Sequence, residues 1–207
     1  MKNKIQHAQA ALRDAGLDAL FIPTQDPHAS EYPADCYKLR EYLSGFTGSA
    51  GELVITQTSA ALFTDGRYEL QAKAQLSDTG IEPRIVRSTV SAAIDYMRSS
   101  DIKNLGADFG IISSRQAEMF RSAGFSLSHL SLNNLWDARP ERPQSGLKYF
   151  GYGRISDKLN AVRAQMGDAD AVLVSALDDI AWLLCFRARD IDYLSLIHIS
   201  EPTRQAE

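Results

Sequence analysis

Residues 52–76 read ELVITQTSAALFTDGRYELQAKAQL, and the order of patterns within them sets the fold class. Glu52-Leu-Val-Ile-Thr56 and Ala60-Ala-Leu-Phe-Thr64 are short apolar runs, each bounded by polar or turn-forming residues, which is how buried strands read. Asp65-Gly66 breaks the second run, and Arg67 to Leu76 then reads as a helix. The flanking sequence continues the alternation of helices and strands. Upstream, Ile5, Ala8, Leu12 and Ala15 recur at helical spacing and Gly16 closes the segment. Asp18-Ala-Leu-Phe-Ile-Pro23 follows as a strand. Downstream come a strand at Ile81 to Arg87, a helix at Val90 to Met97 and a strand at Asn104 to Phe109. A helix at Ser113 to Ala123 and a strand at Phe125 to Leu130 complete the series. Helices alternating with short apolar strands predict an α/β layer fold.

Arg139-Pro-Glu-Arg-Pro143 interrupts this alternation with prolines and charges, the composition of a linker. A first domain over residues 1–140 and a linker over 141–153 follow from it. Beyond the linker the pattern restarts. Ile155 to Met166 is an amphipathic helix, and Asp170-Ala-Val-Leu-Val-Ser175 reads as a strand. Asp18-Ala-Leu-Phe-Ile-Pro-Thr-Gln-Asp26 and Asp170-Ala-Val-Leu-Val-Ser-Ala-Leu-Asp178 share the same layout, which suggests a duplicated domain. Residues 154–193 are then the start of a second, similar domain that is cut short. One helix and one strand bury too little apolar surface to be stable alone. Val172, Leu173, Ile180, Trp182 and Leu183 are accordingly expected to be exposed and open to aggregation or trimming. By residue type Trp182 with Leu183 and Leu184 reads as helix core, and Asp178-Asp179 as the cap of that helix.

With 44% hydrophobic and 23% charged residues over 207 positions, the composition is that of an ordinary globular protein. A net charge of -4 argues against a nucleic-acid partner, because phosphate binding needs a basic surface. No apolar run approaches the roughly 18 residues that span a membrane, and the first residues lack the apolar core of a secretory signal. Cys36 and Cys185 are the two cysteines. They stand far apart without a CxxC, which gives neither a disulfide framework nor a thiolate zinc site and fits a reducing cytoplasm.

No active site assembles from the residues alone. Gly45-Phe-Thr-Gly-Ser-Ala-Gly51 is the densest glycine loop, but it has no following Gly-Lys-Ser/Thr and no GxGxxG spacing. Thr47 stands where a serine-hydrolase elbow around Ser49 would need glycine. The loop reads as a tight turn between elements. His28 lies between Asp26 and Glu31 with Asp35 nearby, a set that can bind metal in principle, yet the spacing matches no metal signature and Asp-Pro is a common turn. Asp65 is expected near the start of the next helix, where a carboxylate is favourable. Arg67 is read as a structural ion pair, with a ligand carboxylate as the alternative. No nucleophile pairs with a base, and no metal carboxylates gather around histidine.

The combined stretches HASEYPADCYKLREYLSGFTGSAGELVIT and AALFTDGRYELQAKAQL, with LWDARPERP and SALDDIAWLLCFRARDID further on, resemble the Xaa-Pro aminopeptidase family in its long, three-domain form. The resemblance runs to about residue 192. It implies a creatinase/prolidase-type N-terminal domain with a mixed sheet flanked by helices, then the start of a related domain, in agreement with the repeat. Cys185, Ala188 and Asp192 depart from the Asn, Gly and Pro usual in the family. Family members cleave between an N-terminal residue and a following proline. They use two divalent metals, usually manganese, held by Asp, Asp, His, Glu and Glu in a C-terminal domain, and those ligand motifs do not occur here. The resemblance therefore implies no catalytic residue, metal ligand or cofactor in this chain. It implies proline-containing peptides as substrates and a homo-oligomer for the longer parent. His28, Arg40 and Phe46 are the matching positions placed toward a substrate channel.

The final stretch, Leu194 to Glu207, matches no continuation of that family. Residues 194–204 resemble the in-frame translation of a transposon-type sequencing adapter, so residues 194–207 are expected to be an artefact on an interrupted reading frame. Two functions follow as expectations. The first is the inactive N-terminal portion of a cytoplasmic Xaa-Pro aminopeptidase, and the second is a binding module of a non-catalytic, peptidase-like protein.

Overall fold

The computed structural model describes residues 2–30, 32–151 and 153–189. Glu31, residues 190–193 and the tail at 194–207 lie outside the described residues. The chain divides into two compact units, 1–141 and 142–207.

The first unit is built on a six-stranded sheet whose strands are β1 (Ala19–Pro23), β2 (Glu52–Thr56), β3 (Ala60–Thr64), β4 (Glu82–Ile85), β5 (Asn104–Ala107) and β6 (Ser126–His129), in the spatial order β4-β3-β2-β1-β5-β6. Only the pairings of β2 with β1 and β3 are antiparallel; the other three are parallel. The sheet is therefore mixed, as expected. β1 and β3 are buried at every position. Alternation within these apolar runs explains why, since neighbouring side chains leave the sheet on opposite faces and both faces are covered.

On one face Leu20, Ile22, Leu53, Ile55 and Leu62 pack against α1 (Lys2–Asp14), α2 (Leu39–Ser44) and α3 (Glu69–Leu76) through Ile5, Ala8, Leu12, Leu43, Ala72 and Leu76. On the other face Phe21, Val54, Ala61, Phe63 and Leu105 pack against α4 (Thr89–Ser99) and α5 (Ser114–Ser122) through Ala93, Met97 and Phe120. Ser113 and Gln116 form a reciprocal capping box at the start of α5, satisfying backbone donors at both positions.

Element ends differ from the sequence expectation where a side chain redirects the backbone. Asp65 accepts the Arg67 N–H at 2.9 Å, so a 3-10 turn at Gly66–Tyr68 precedes α3 in place of a helix starting at Arg67. Likewise the Asp108 carboxylate accepts the Gly110 N–H at 2.8 Å, which turns the chain just after β5. Edge strand β4 carries Pro83, flanked by Glu82 and Arg84 in contact at 3.0 Å. The opposite edge, β6, has the sequence Ser-Leu-Ser-His.

The second unit contains β7 (Lys148–Tyr149) paired antiparallel with β8 (Phe186–Arg187), and two helices, α6 (Ile155–Gln165) and α7 (Leu177–Leu183). The strand expected at Asp170 to Ser175 does not form: residues 171–176 have no strand assignment. A strand exists only where a neighbour takes its backbone hydrogen bonds, and among the described residues none lies beside this run. Val172 and Leu173 are exposed, the latter by 94%. Trp182 is not a core residue of its helix; it is 57% exposed. Ile180 and Leu183 are half-buried. The α7 N-cap is Ala176, with Asp178 and Asp179 in the first turn, where their charge favours the helix without capping it.

Phe120 is fully buried and meets the Phe21 ring edge-on at 4.8 Å. Phe120→Ala should lower unfolding stability by about 3–5 kcal/mol, measured by urea denaturation of the chain. A loss below about 1 kcal/mol would mean that α5 does not seal this face.

Candidate functional site

Because β1, β3, β4, β5 and β6 run the same way, their C-terminal ends share one edge of the sheet, and β2 begins there. Ligands and partners of open α/β sheets gather at this end. The loop at 45–51 and the turns at 24–30, 65–68 and 108–113 all emerge at it.

Gly45, in the left-handed region at φ 75°, ends α2 by donating its N–H to Glu41 O at 2.7 Å. The following loop is then held from inside by Arg40 of α2. Nη1 donates to Phe46 O at 3.2 Å and Nη2 to Gly48 O at 2.6 Å, and the guanidinium lies 4.9 Å from the Phe46 ring centre. Thr64 Oγ1 donates to Ala50 O at 2.7 Å and Thr24 Oγ1 to Gly51 O at 2.5 Å. Outside, Ser49 Oγ and Tyr68 Oη are 2.7 Å apart, and Gln75 Oε1 accepts the Thr47 N–H at 3.0 Å. Gly48 has no room for a side chain: a Cβ there would stand 2.3 Å from Phe46 Cζ and 2.8 Å from Tyr68 Cδ1. The glycine-rich loop is thus the tight turn its sequence suggested, packed on two aromatic rings.

Glu52 opens β2 at the root of this loop. Its Oε2 is buried without a hydrogen-bond partner, although the residue as a whole is half-buried. Burial pushes the Glu52 carboxyl up to about 8; the Arg40 charge, the Thr24 N–H and the Thr89 hydroxyl oppose the shift without cancelling it. Burial also brings the Arg40 guanidinium down to about 10, against the pull of Glu41, Glu52 and Tyr68. No ion pair joins Arg40 to Glu52, and Arg40 Nε is buried without a partner.

Of the three residues expected to face a channel, Arg40 is 4% exposed and Phe46 is fully buried, so within this chain both act on the loop from beneath. His28 is exposed at the same edge. Its turn is organised by Asp26, only 2% exposed, whose Oδ1 accepts the N–H groups of His28 at 2.9 Å and Ser30 at 3.0 Å. Asp35 pairs with Lys38 at 2.6 Å. Arg67 grips Asp65 with Nε at 2.9 Å and Nη2 at 2.8 Å, the structural ion pair of the sequence reading. Among the described residues no group of three His, Cys, Asp or Glu side chains is placed to hold a metal ion, and no helix is long and apolar enough to cross a membrane. Sequence reasoning passed over Glu52. The signal available was a lone carboxylate heading an apolar run directly behind a glycine.

This architecture has relatives. Two models of the creatinase/prolidase N-terminal domain match the chain, one over residues 4–137 and another over residues 138–198. The chain belongs to the creatinase/prolidase N-terminal domain family. It is 37% identical to aminopeptidase P2 of Arabidopsis thaliana over 88% of this chain and 28% of that protein. It is 34% identical to a probable Xaa-Pro aminopeptidase P of Laccaria bicolor, over 88% of this chain and 31% of that one. Among solved structures, an X-prolyl aminopeptidase of Caenorhabditis elegans, described as a cytosolic enzyme with a di-nuclear active site, superposes with a TM-score of 0.75 at 26% identity, over 92% of this chain and 35% of that one. The chain thus spans roughly a third of the length of the relatives it matches.

In the unfolded chain Glu52 loses its proton near 4.5, whereas in the fold it holds it to about 8. Between these values the folded state carries the extra proton, so stability falls as pH rises, by up to about 1.4 kcal/mol per unit from this group. The contribution is complete below the lower value and gone above the higher. Urea denaturation of the chain and of Glu52→Gln should show this slope in the first and its loss in the second. Gly48→Ala, which forces the rings of Phe46 or Tyr68 aside, should destabilise the chain by about 1–3 kcal/mol.

Proposed function

We propose that this chain is the N-terminal, non-catalytic portion of a metal-dependent Xaa-Pro aminopeptidase that releases N-terminal residues preceding proline. The observation that carries the reading is the coverage: relatives that are Xaa-Pro aminopeptidases match 88% of this chain yet extend far beyond it, since it fills only 28–31% of them. Residues 1–140 are the first domain, 141–153 a linker and 154–193 the start of a second domain of the same type. The parent protein is a cytoplasmic hydrolase, a homo-oligomer acting on proline-containing peptides, with neither nucleic acid nor membrane as partner.

Two divalent metals, manganese in this reading, would belong to the parent's catalytic domain, where they would activate a water and polarise the scissile carbonyl. The described residues of this chain do not fit such a pair, having no cluster of ligating side chains. No step of peptide hydrolysis is therefore assigned to them. Their role is to shape access to the site: Arg40 and Phe46 fix the 45–51 loop at the rim of a substrate channel, and His28 faces it from the neighbouring turn.

Assays with an alanyl-prolyl peptide and manganese separate the possibilities. The isolated 207-residue chain should hydrolyse at the background rate, and the full-length protein of the source gene should turn over. Proline-specific cleavage by the isolated chain would overturn the reading. A full-length protein that carries no metal ligands and stays inert would favour a binding module.

A further inference from the structure

Asp65-Gly66 is the only place in the chain where an aspartate or asparagine precedes glycine. Such a pair is chemically fragile. Glycine has no Cβ, so its backbone nitrogen reaches the preceding side-chain carboxyl with least hindrance and can close a five-membered succinimide ring. Gly66 is exposed, and no atom lies within 4 Å of where a Cβ on it would stand. Packing leaves this side of the bond open.

Three features oppose ring closure here. Both carboxylate oxygens are occupied: Arg67 Nε donates to Asp65 Oδ1 at 2.9 Å, Nη2 donates to Oδ2 at 2.8 Å, and the Arg67 N–H adds a bond to Oδ1 at 2.9 Å. The guanidinium thus holds the carboxylate as a two-point fork. The side-chain bonds from Arg67 also keep the Asp65 carboxyl below the usual carboxylate range, and the ionised form gives up an oxygen far less readily than the neutral acid. The backbone is the third obstacle, with Asp65 at φ -91° and ψ 172°. Closure needs the Gly66 nitrogen turned about the Cα–C bond to the side of Cβ, a near-attack geometry that this extended conformation does not present.

We infer that Asp65 is a site of spontaneous isoaspartate formation that Arg67 keeps closed by gripping the carboxylate. When the fork lets go, the Gly66 nitrogen attacks Cγ of the protonated carboxyl. A C–N bond forms, and the carboxyl hydroxyl leaves as water with the amide proton. Water then adds to one of the two ring carbonyls. Addition at Cγ restores aspartate, whereas addition at the main-chain carbonyl leaves the chain running through Cβ and Cγ as isoaspartate. No oxidant or other reactant takes part. The product carries one extra backbone carbon through the turn that seats Tyr68, whose hydroxyl is 2.7 Å from Ser49 Oγ and whose ring meets Phe46 edge-on at 5.9 Å. The change therefore reaches the 45–51 loop. This inference stands on the first unit's own geometry and does not depend on the reaction assigned to the parent.

The test uses the full chain. The unaltered chain, Arg67→Gln and Arg67→Lys are incubated side by side at neutral pH and physiological temperature, and isoaspartate at Asp65 is quantified by electron-transfer mass spectrometry. Arg67→Gln should accumulate it about fivefold faster than the unaltered chain, the weight of one well-made exposed ion pair. Arg67→Lys keeps the charge and loses the fork, and should behave like Arg67→Gln. Free peptides spanning residues 60–70, one unaltered and one with Arg67→Gln, should isomerise at one common rate, about tenfold or more above the folded chain. Asp78 and Asp101, both exposed, report general loosening of the fold and should not change among the chains. Equal rates in the unaltered chain and Arg67→Gln, or an Arg67→Lys rate equal to that of the unaltered chain, would overturn the proposal. So would a rise at Asp78 and Asp101 matching that at Asp65, because the whole fold and not the fork would then be the guard. An unaltered chain that isomerises as fast as its own peptide overturns it independently of any substitution.

Discussion

Everything in the first unit depends on β1 being a strand with no free side. Ala19 to Pro23 pairs with β2 on one edge and β5 on the other, and both its faces are buried. A five-residue segment so enclosed must be apolar throughout and must have helices above and below it. Its partners are antiparallel β2 and parallel β5, which makes the sheet mixed. It also places the ends of five strands along one edge, with the only reversed strand, β2, starting there. The loop that returns the chain to β2 is consequently forced into the crowded space beneath that edge, where Arg40, Phe46 and Gly48 lie.

The strands of the first unit were legible because their burial demanded it. Leu53-Val-Ile55 and Ala60-Ala-Leu-Phe63 had to be apolar on both faces, and the polar residues flanking them marked where pairing stops. The helices were legible through spacing, as with Ile5, Ala8 and Leu12. The second unit misled for the same physical reason. Ala171-Val-Leu-Val174 carries the pattern of a buried strand, but a pattern records what a segment can pair with, and no partner stands beside it among the described residues. Propensity without a neighbour leaves Leu173 exposed.

The Glu52 site was illegible for a different reason. A glutamate at the head of an apolar run ordinarily reads as the solvated end of a strand. The groups that act on its carboxyl, Arg40, Thr24 and Thr89, are distant in sequence, and only the fold brings their influence to bear on it. Arg40 and Phe46, singled out through family resemblance, meet beneath the loop, where the guanidinium donates to Phe46 O and Gly48 O. Family membership accounts for the architecture.

The two edges of the sheet are chemically unequal. The Val86 N–H bonds to Thr64 O, so by alternation Arg84 and Glu82 also turn their amides toward β3, and Pro83 presents the outer side of β4 with no N–H to offer. At the far edge Ser126 and Leu130 donate inward, to Lys103 O and Ala107 O, which turns the backbone groups of Leu127 and His129 outward. β6 itself has neither proline nor charged residue to discourage a newcomer. Strand addition to this sheet therefore has a polarity: β4 terminates the ladder, and β6 is the end from which it would grow if crowding or partial unfolding brought another extended segment alongside.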